Sequence, residues 1–340
     1  MVNLPSPFRE IDRVQLTFDR PTDIEPLSRI TESYNGKVKL WIAREDRNSG
    51  LAFSGNKVRK LEYVLADALA QGADTIVTTG GIQSNHMCQT SAAAARLGFQ
   101  VALYPEDRVA SNDKEYRYLG NIQANGILGA ETFPPDTSES TVMETLERRE
   151  RKPYFIPPGA SSHPLGGLGY ARWVFDLLEQ EKKLEVTFDA IALVAGSCST
   201  LGGILAGLKL AQMEKMPGFK KRLIGFSVLR ENKQDVKDLV LQIARTTASK
   251  IGVSLDDITA DDFEVHTAYL GEGYGKLNES TANAMKQLAR MEGILTDPVY
   301  TGKAFTGLLD IIDKGQLNGG NVLFLHTGGQ NVLSAYPQLR

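Results

Sequence analysis

A lysine stands in a short polar turn, Ser54-Gly55-Asn56-Lys57, between a strand-like run and a helical pattern. A lysine amine attacks carbonyl compounds once its pKa is lowered, forming a Schiff base, and as an ammonium it binds phosphate. The same residue type equally suits a solvated loop. Arg59 and Lys60 follow at once, and Asn56 sets an amide beside the amine. A second segment, Gly80-Gly81-Ile82-Gln83-Ser84-Asn85-His86, leaves a strand and opens a helix. Backbone N–H groups at such a helix start bind anions, carboxylates included. Gln83, Ser84 and Asn85 can add side-chain hydrogen bonds, or Ser84 or Asn85 can serve simply as the helix N-cap. A third segment, Gly196-Ser197-Cys198-Ser199-Thr200, repeats the strand–loop–helix arrangement. Its small residues let a ligand approach the backbone, and its hydroxyls, thiol and helix dipole suit a phosphate. It is neither a Walker A loop nor a dinucleotide-binding G-x-G-x-x-G turn.

Three later loops carry further candidates: Gly271-Glu272-Gly273-Tyr274-Gly275, Asp297 to Lys303, and His326-Thr327-Gly328-Gly329. Tyr274 and Tyr300 are either positioned acids or caps on the core. The four histidines, His86, His163, His266 and His326, form no i,i+3 or i,i+4 pair, so a helical zinc site finds no support and no metal is expected. A G-x-S-x-G elbow is absent, which weakens a serine hydrolase. One cofactor accounts for a Schiff-base lysine, a phosphate cup and a separate carboxylate-binding turn. Pyridoxal 5'-phosphate needs the first two, and an amino-acid substrate needs the third.

These loops need elements to hold them. Strand-like runs at 38–43, 75–79, 100–104, 154–156, 190–195, 222–228 and 321–325 alternate with helical patterns at 60–71, 85–97, 121–128, 140–148, 168–181, 201–212, 233–250, 279–291 and 303–313. The alternation reads as α/β with mostly parallel sheets flanked by helices. Two halves are expected. One covers about residues 60–170, and the other combines both chain ends.

Composition sets the outer limits. The 340 residues suggest about two domains. Their 42% hydrophobic content can bury a core without metal or disulfide staples. A net charge of −3 lacks the basic footprint of a nucleic-acid binder. Without an apolar run long enough to span a bilayer, no membrane partner is expected. Two cysteines, Cys88 and Cys198, cannot build a disulfide framework. The acidic, non-apolar start and the sparse cysteines fit a cytoplasmic protein better than a secreted one.

The segments NSGLAFSGNKVRKLEY (48–63), GGIQSNH (80–86), GEGYG, TDPVYTGK and HTGG together resemble the 1-aminocyclopropane-1-carboxylate (ACC) deaminase and D-cysteine desulfhydrase family. That family lies within the fold type II, tryptophan-synthase-β-like pyridoxal-phosphate enzymes. The resemblance covers nearly the whole chain. It implies a two-domain fold in a homodimer, with a larger cofactor-binding domain (1–59 and 171–340) and a smaller one (60–170). It implies that Lys57 holds the cofactor aldehyde, beside Asn56, and that Asn85 touches the ring hydroxyl. Gly196, Ser197, Cys198, Ser199 and Thr200 would hold the phosphate. Gln83, Ser84 and Asn85 would face the substrate carboxylate, while Tyr274 and Tyr300 match the active-site tyrosines. The chain departs from the family pattern at Ser54, Cys198 and Ser199, where glycine is usual, and at Cys88, where arginine is common.

ACC deaminases carry Glu after the late tyrosine and Leu before the last Gly-Gly, whereas this chain has Thr301 and Thr327, as in the desulfhydrase pattern. A Glu beside the pyridine nitrogen keeps it protonated. A Thr hydroxyl can only hydrogen-bond to it. The leading expectation is therefore D-cysteine desulfhydration to pyruvate, ammonia and hydrogen sulfide. The alternative is ACC deamination to 2-oxobutanoate and ammonia, and a non-catalytic cofactor or amino-acid binder is the reading from another class.

Overall fold

The computed structural model describes residues 3–111 and 113–339. The chain opens with β1 (Ile24–Pro26), α1 (Ser28–Ser33) and β2 (Lys39–Ala43). It continues through α2 (Asn56–Ala70), β3 (Thr75–Gly81), α3 (Asn85–Leu97), β4 (Gln100–Glu106), α4 (Asn121–Ile127), β5 (Glu131–Thr132), α5 (Glu139–Arg148) and β6 (Pro153–Ile156). Then come α6 (Leu168–Leu184), β7 (Ala190–Ala195), α7 (Ser199–Met213), β8 (Arg222–Ser227), α8 (Lys233–Lys250), β9 (Glu264–His266), α9 (Glu279–Glu292), α10 (Thr301–Asp313) and β10 (Asn321–Leu325).

The strands form two sheets, one of six strands in the order β1-β2-β10-β7-β8-β9 and one of four in the order β5-β4-β3-β6. Only β1 with β2 pairs antiparallel. The α/β reading with parallel-dominant sheets is borne out. β7 (AIALVA) is buried at every position because helices cover both faces of the larger sheet. On one side, Trp173, Phe175, Ile204, Leu205 and Val240 from α6, α7 and α8 pack on it. On the other, Ile30, Leu288, Phe305 and Leu308 from α1, α9 and α10 do so. In the smaller sheet, Val58, Leu61, Val64 and Leu65 of α2 join Ala92–Ala94 of α3 over Ile76, Val101 and Ile156. Of the residues at three-and-four spacing over 60–71, Leu61, Val64, Leu65 and Ala68 form this face as expected, whereas Leu69 is exposed.

Both sheets reverse their strand order. The chain steps from β3 to β4 to β5 in one direction and places β6 on the other side of β3. It steps from β7 to β8 to β9 and places β10 on the other side of β7. At such reversals neighbouring loops diverge, and a crevice opens beyond the carboxyl ends of the strands. The loops that follow β3, β6, β7 and β10 are those placed to build a site.

Two details differ from the sequence expectation. Asn56 and Lys57 belong to the first turn of α2, four residues before the expected start at Lys60, because Gly55 (φ 130°) turns the chain into the helix there. Gly80 and Gly81 do not end β3. They remain paired with Pro105 and Glu106 of β4.

Candidate functional site

One cleft collects most of the residues singled out by sequence. It is lined by Asn56, Lys57, Ser84, Gly196, Ser197, Cys198, Thr200, Tyr274 and Tyr300, together with Lys60, His86, Arg108 and Gly159. Ser199 lies just behind, its hydroxyl 3.0 Å from that of Ser161. Gln83 is turned away from the cleft. Its amide donates to the carbonyls of Tyr116 and Leu119 and accepts from the Asn121 N–H. Asn85 accepts from the Asn121 amide at 2.7 Å. Its own Nδ2 lies so close to Gly329 that a Cβ there would sit 2.6 Å away, so Asn85 bridges the two sheets' loops.

The Lys57 amine is buried and faces the Tyr300 ring, 5.2 Å from its centroid. Burial lowers its pKa to about 8, and the nearby Asp297 carboxylate limits the drop. Its backbone is pinned, because Lys57 N–H donates to Gln89 Oε1 at 3.0 Å and Asn56 N–H to the Thr327 carbonyl at 3.1 Å. Gly55 permits this approach, since a Cβ there would lie 2.5 Å from Gln89 Nε2. The preceding Ala52, Phe53 and Ser54 all have positive φ (34°, 62° and 63°). Such backbone costs each of them on the order of 1–2 kcal/mol. Ser54 is held there by bonds to Asn48 Oδ1 and the Ser49 N–H.

The 196–200 loop lacks internal neutralisation. Cys198 enters α7 at φ 71°, no side chain caps the helix, and Gly202 is the first residue whose N–H bonds within it. Cys198 and Ser54, where the sequence resemblance leads one to expect glycine, both keep the left-handed backbone that glycine adopts freely. Thr200 Oγ1 accepts from Asn56 Nδ2 at 2.9 Å, so its own proton is free to point into the cleft. Lys60 lies on the same face as Lys57, three residues on. It is buried, and among the described residues its Nζ reaches only the Gly159 carbonyl, at 3.4 Å. Burial and the charge of Lys57 hold the Lys60 amine well below its usual pKa. Asn56 Oδ1 is a further buried atom without a partner. The uncapped helix start and the free hydroxyl proton suit an anion, and an anion there would return the Lys60 amine to its charged form; a phosphate fits them.

The other helix starts at the cleft are already served. Ser84 caps α3 by accepting the Met87 N–H at 3.3 Å. Asp297 caps α10, accepting from the N–H groups of Val299, Tyr300 and Thr301. Thr301 and Thr327 form a buried pair, Oγ1 to Oγ1 2.9 Å, and no carboxylate replaces either hydroxyl. The Tyr274 and Tyr300 hydroxyls lie 2.8 Å apart, and burial raises both pKa values. His86 is kept neutral by burial and by both lysines, its pKa about 3. Among the described residues, no cluster of three His, Cys, Asp or Glu could hold a metal. Among the described residues, no helix is long and apolar enough to cross a membrane.

Sequence reasoning gave no role to Lys60, Arg108 or Gly159 and weighed His86 only as a metal ligand. The available signal for Lys60 was its i,i+3 spacing from Lys57. For Gly159 it was the Pro-Pro-Gly that ends β6.

The chain matches the family model "Pyridoxal-phosphate dependent enzyme" over residues 16–328. It is 40% identical over 336 residues to the 1-aminocyclopropane-1-carboxylate deaminase of Burkholderia vietnamiensis, covering 96% of this chain and 97% of that protein. It is 39% identical to the protein of the same name from Methylobacterium nodulans, over 96% and 97% of the two chains. A crystal structure of an ACC deaminase homologue superposes with a TM-score of 0.84 at 34% identity, covering 98% of this chain and 96% of the other.

Proposed function

This chain belongs to the pyridoxal-phosphate dependent enzyme family, and from that premise we propose that it releases ammonia from a small amino acid and leaves a 2-oxo acid. Its cofactor is pyridoxal 5'-phosphate. The observation that carries the proposal is Lys57, a buried amine with a lowered pKa facing a cleft whose one uncapped helix start suits a phosphate. When bound, the cofactor supplies an aldehyde that links to amines and a ring that accepts the electron pair released at the substrate α-carbon. Lys57 would hold the aldehyde, and its free amine would take and return the substrate α-proton. Thr200, Ser197, the start of α7 and the Lys60 ammonium hold the phosphate. Ser84, at the start of α3, orients the substrate carboxylate. Tyr274 and Tyr300, each keeping its proton, are hydrogen-bonded to one another beside Lys57, and one of them can give a proton to the leaving group.

The names of the relatives support ACC as the substrate, and we take this reading first. A second reading, D-cysteine, rests on the Thr301–Thr327 pair. Two hydroxyls beside a ring nitrogen leave it neutral, which favours expulsion of a good leaving group such as thiolate over opening of a carbon ring. The test assays both substrates. ACC yielding 2-oxobutanoate with little sulfide from D-cysteine supports the first reading, and the reverse supports the second. On the second reading Thr301→Glu with Thr327→Leu gains ACC turnover. Bound cofactor with no 2-oxo acid from either substrate would sink both readings and favour a binder.

Family likeness also supports a homodimer, a cytoplasmic setting and a division into 1–59 with 171–340 against 60–170. The first boundary falls within the first turns of α2, whose apolar face packs on the smaller sheet. Sedimentation and limited proteolysis test the dimer and the division.

A further inference from the structure

Lys303 is a second buried lysine near the cleft, in the first turn of α10, and its side chain is enclosed completely. Its Nζ donates to the carbonyls of Leu270 at 2.6 Å and Gly273 at 2.9 Å. Those carbonyls bracket the stretch that leads into Tyr274. The stretch lacks regular structure, and Gly271, Gly273 and Gly275 all adopt positive φ (67°, 138° and 71°). Such a loop has no propensity that would fix its shape. Its other ties include the Lys276 N–H to the Gly273 carbonyl at 3.3 Å, Tyr336 Oη to the Gly275 carbonyl at 2.9 Å and Lys276 Nζ to the Ala110 carbonyl at 2.5 Å. Lys303 differs from these in origin. It comes from the helix that starts at Tyr300, and the Tyr300 hydroxyl is the partner of Tyr274 at 2.8 Å. One helix start therefore fixes both members of the tyrosine pair, Tyr300 directly and Tyr274 through two carbonyls. A buried ammonium supplies what an apolar side chain of equal length could not, namely two charge-assisted hydrogen bonds in directions set by the helix.

We infer that Lys303 is a positioning residue that sets the Tyr274 hydroxyl against Tyr300 by clamping the 270–273 carbonyls to α10. The inference rests on the reading that Tyr274 takes part in the reaction. A double-mutant cycle on the holoenzyme tests it, scoring 2-oxo acid release from ACC and D-cysteine. Lys303→Met keeps the volume and removes the donors. It should lower kcat by roughly 10²-fold, the order of loss for a misplacement of ~1 Å. The cofactor absorbance and the borohydride-tagged fraction of Lys57 should stay unchanged. In a Tyr274→Phe background the same substitution should cost almost nothing more, because the hydroxyl it positions is already gone. Lys303→Gln retains a donor and should fall between wild type and Lys303→Met. It also replaces Lys303→Met in the cycle should that variant not fold. Amide hydrogen exchange gives a readout independent of turnover, and Lys303→Met should speed exchange within 270–276. Multiplying losses in the double variant, or unchanged exchange in that loop, would overturn the inference while leaving the role of Tyr274 intact. Wild-type turnover by Tyr274→Phe would instead overturn the reading of Tyr274, and the inference with it.

Discussion

Replacing Thr200 with Val separates the two jobs given to one hydroxyl. The side chain is almost wholly buried, and valine matches its shape, so packing is conserved and only the oxygen and its proton are lost. The first loss is a hydrogen bond to the cofactor phosphate, a charged acceptor, worth about 1.5–3 kcal/mol. Cofactor affinity should therefore fall about ten- to a hundred-fold. The second loss is the acceptor for Asn56 Nδ2, now 2.9 Å away, in an amide whose Oδ1 already lacks a partner. An unsatisfied buried donor costs about 1–3 kcal/mol, and that cost falls on the apoprotein as well as the holoprotein. Equilibrium titration of the apoprotein with pyridoxal phosphate reads the first effect, and denaturant unfolding of the apoprotein reads the second. Thr200→Ser keeps the hydroxyl and should show little of either. The covalent link to Lys57 is common to all variants and cancels in the ratio of dissociation constants. A Thr200→Val protein that binds the cofactor as tightly as wild type would refute the placement of the phosphate on this loop. Lost affinity without lost apoprotein stability would refute only the account of Asn56.

Borohydride reduction of the yellow holoenzyme followed by peptide mapping should tag Lys57, and Lys57→Ala should abolish the tag; a tag on Lys60 or Lys303 would refute the assignment. The rate of cofactor capture by apoprotein should rise with pH through about 8, because only the free amine reacts and burial has lowered the Lys57 pKa to that value; an inflection in the ordinary lysine range near 10.4 would contradict it. Glu45 is wholly buried and accepts from Arg59 Nε at 2.6 Å, from Thr22, from Asn48 and from the Tyr170 hydroxyl. Burial would raise its pKa, but Arg59 and these bonds outweigh burial and lower it. The stability it contributes is thus whole above the ordinary glutamate range and lost as pH falls through the lowered folded value. Glu45→Gln should destabilise the protein by about 3–5 kcal/mol at neutral pH, since Arg59 keeps only one carboxylate, Asp176 at 3.3 Å, beside its bond to Thr22 Oγ1; equal unfolding midpoints in urea would refute this.

Much of the frame was legible because its signals are local. β7, β10 and α8 lie at 190–195, 321–325 and 233–250, as read from apolar runs or amphipathic spacing bounded by glycine and polar residues. β1, β5 and β9, of two or three residues each, are too short for alternation to show, and Pro26 in β1 fits only an edge. The start of α2 was hidden for a different reason. Asn56, Arg59 and Lys60 read as surface residues by type, yet all three are buried, because tertiary partners or a ligand satisfy them. A pattern that equates polar with exposed ends the helix where the site begins. The same blindness left Lys60 without a role and gave Gln83 a substrate contact, whereas its amide ties the turn to the loop before α4.

The site's layout follows from how its helix starts are capped. Four helices point their N-termini toward the cleft or its immediate wall, and each is a partial positive charge. α2 is satisfied by Gln89 and the Thr327 carbonyl, α3 by Ser84, and α10 by the Asp297 carboxylate. Asp297 also limits the burial-driven fall in pKa of both Lys57 and Lys303, so a single buried carboxylate is spread over two lysines and a helix start. α7 and Lys60 remain without a counter-charge from the chain itself. Without an anion the Lys60 amine is held toward its neutral form, and a phosphate beside it would restore the ammonium as its counter-ion. On the proposed reading, the uncapped start of α7, beyond the carboxyl end of β7, is where the cofactor phosphate binds. Asp297 is already engaged by the start of α10. On the proposed reading the Thr301–Thr327 pair, not a carboxylate, meets the ring nitrogen, so the same charge layout that favours a phosphate at α7 leaves the choice of substrate to two hydroxyls.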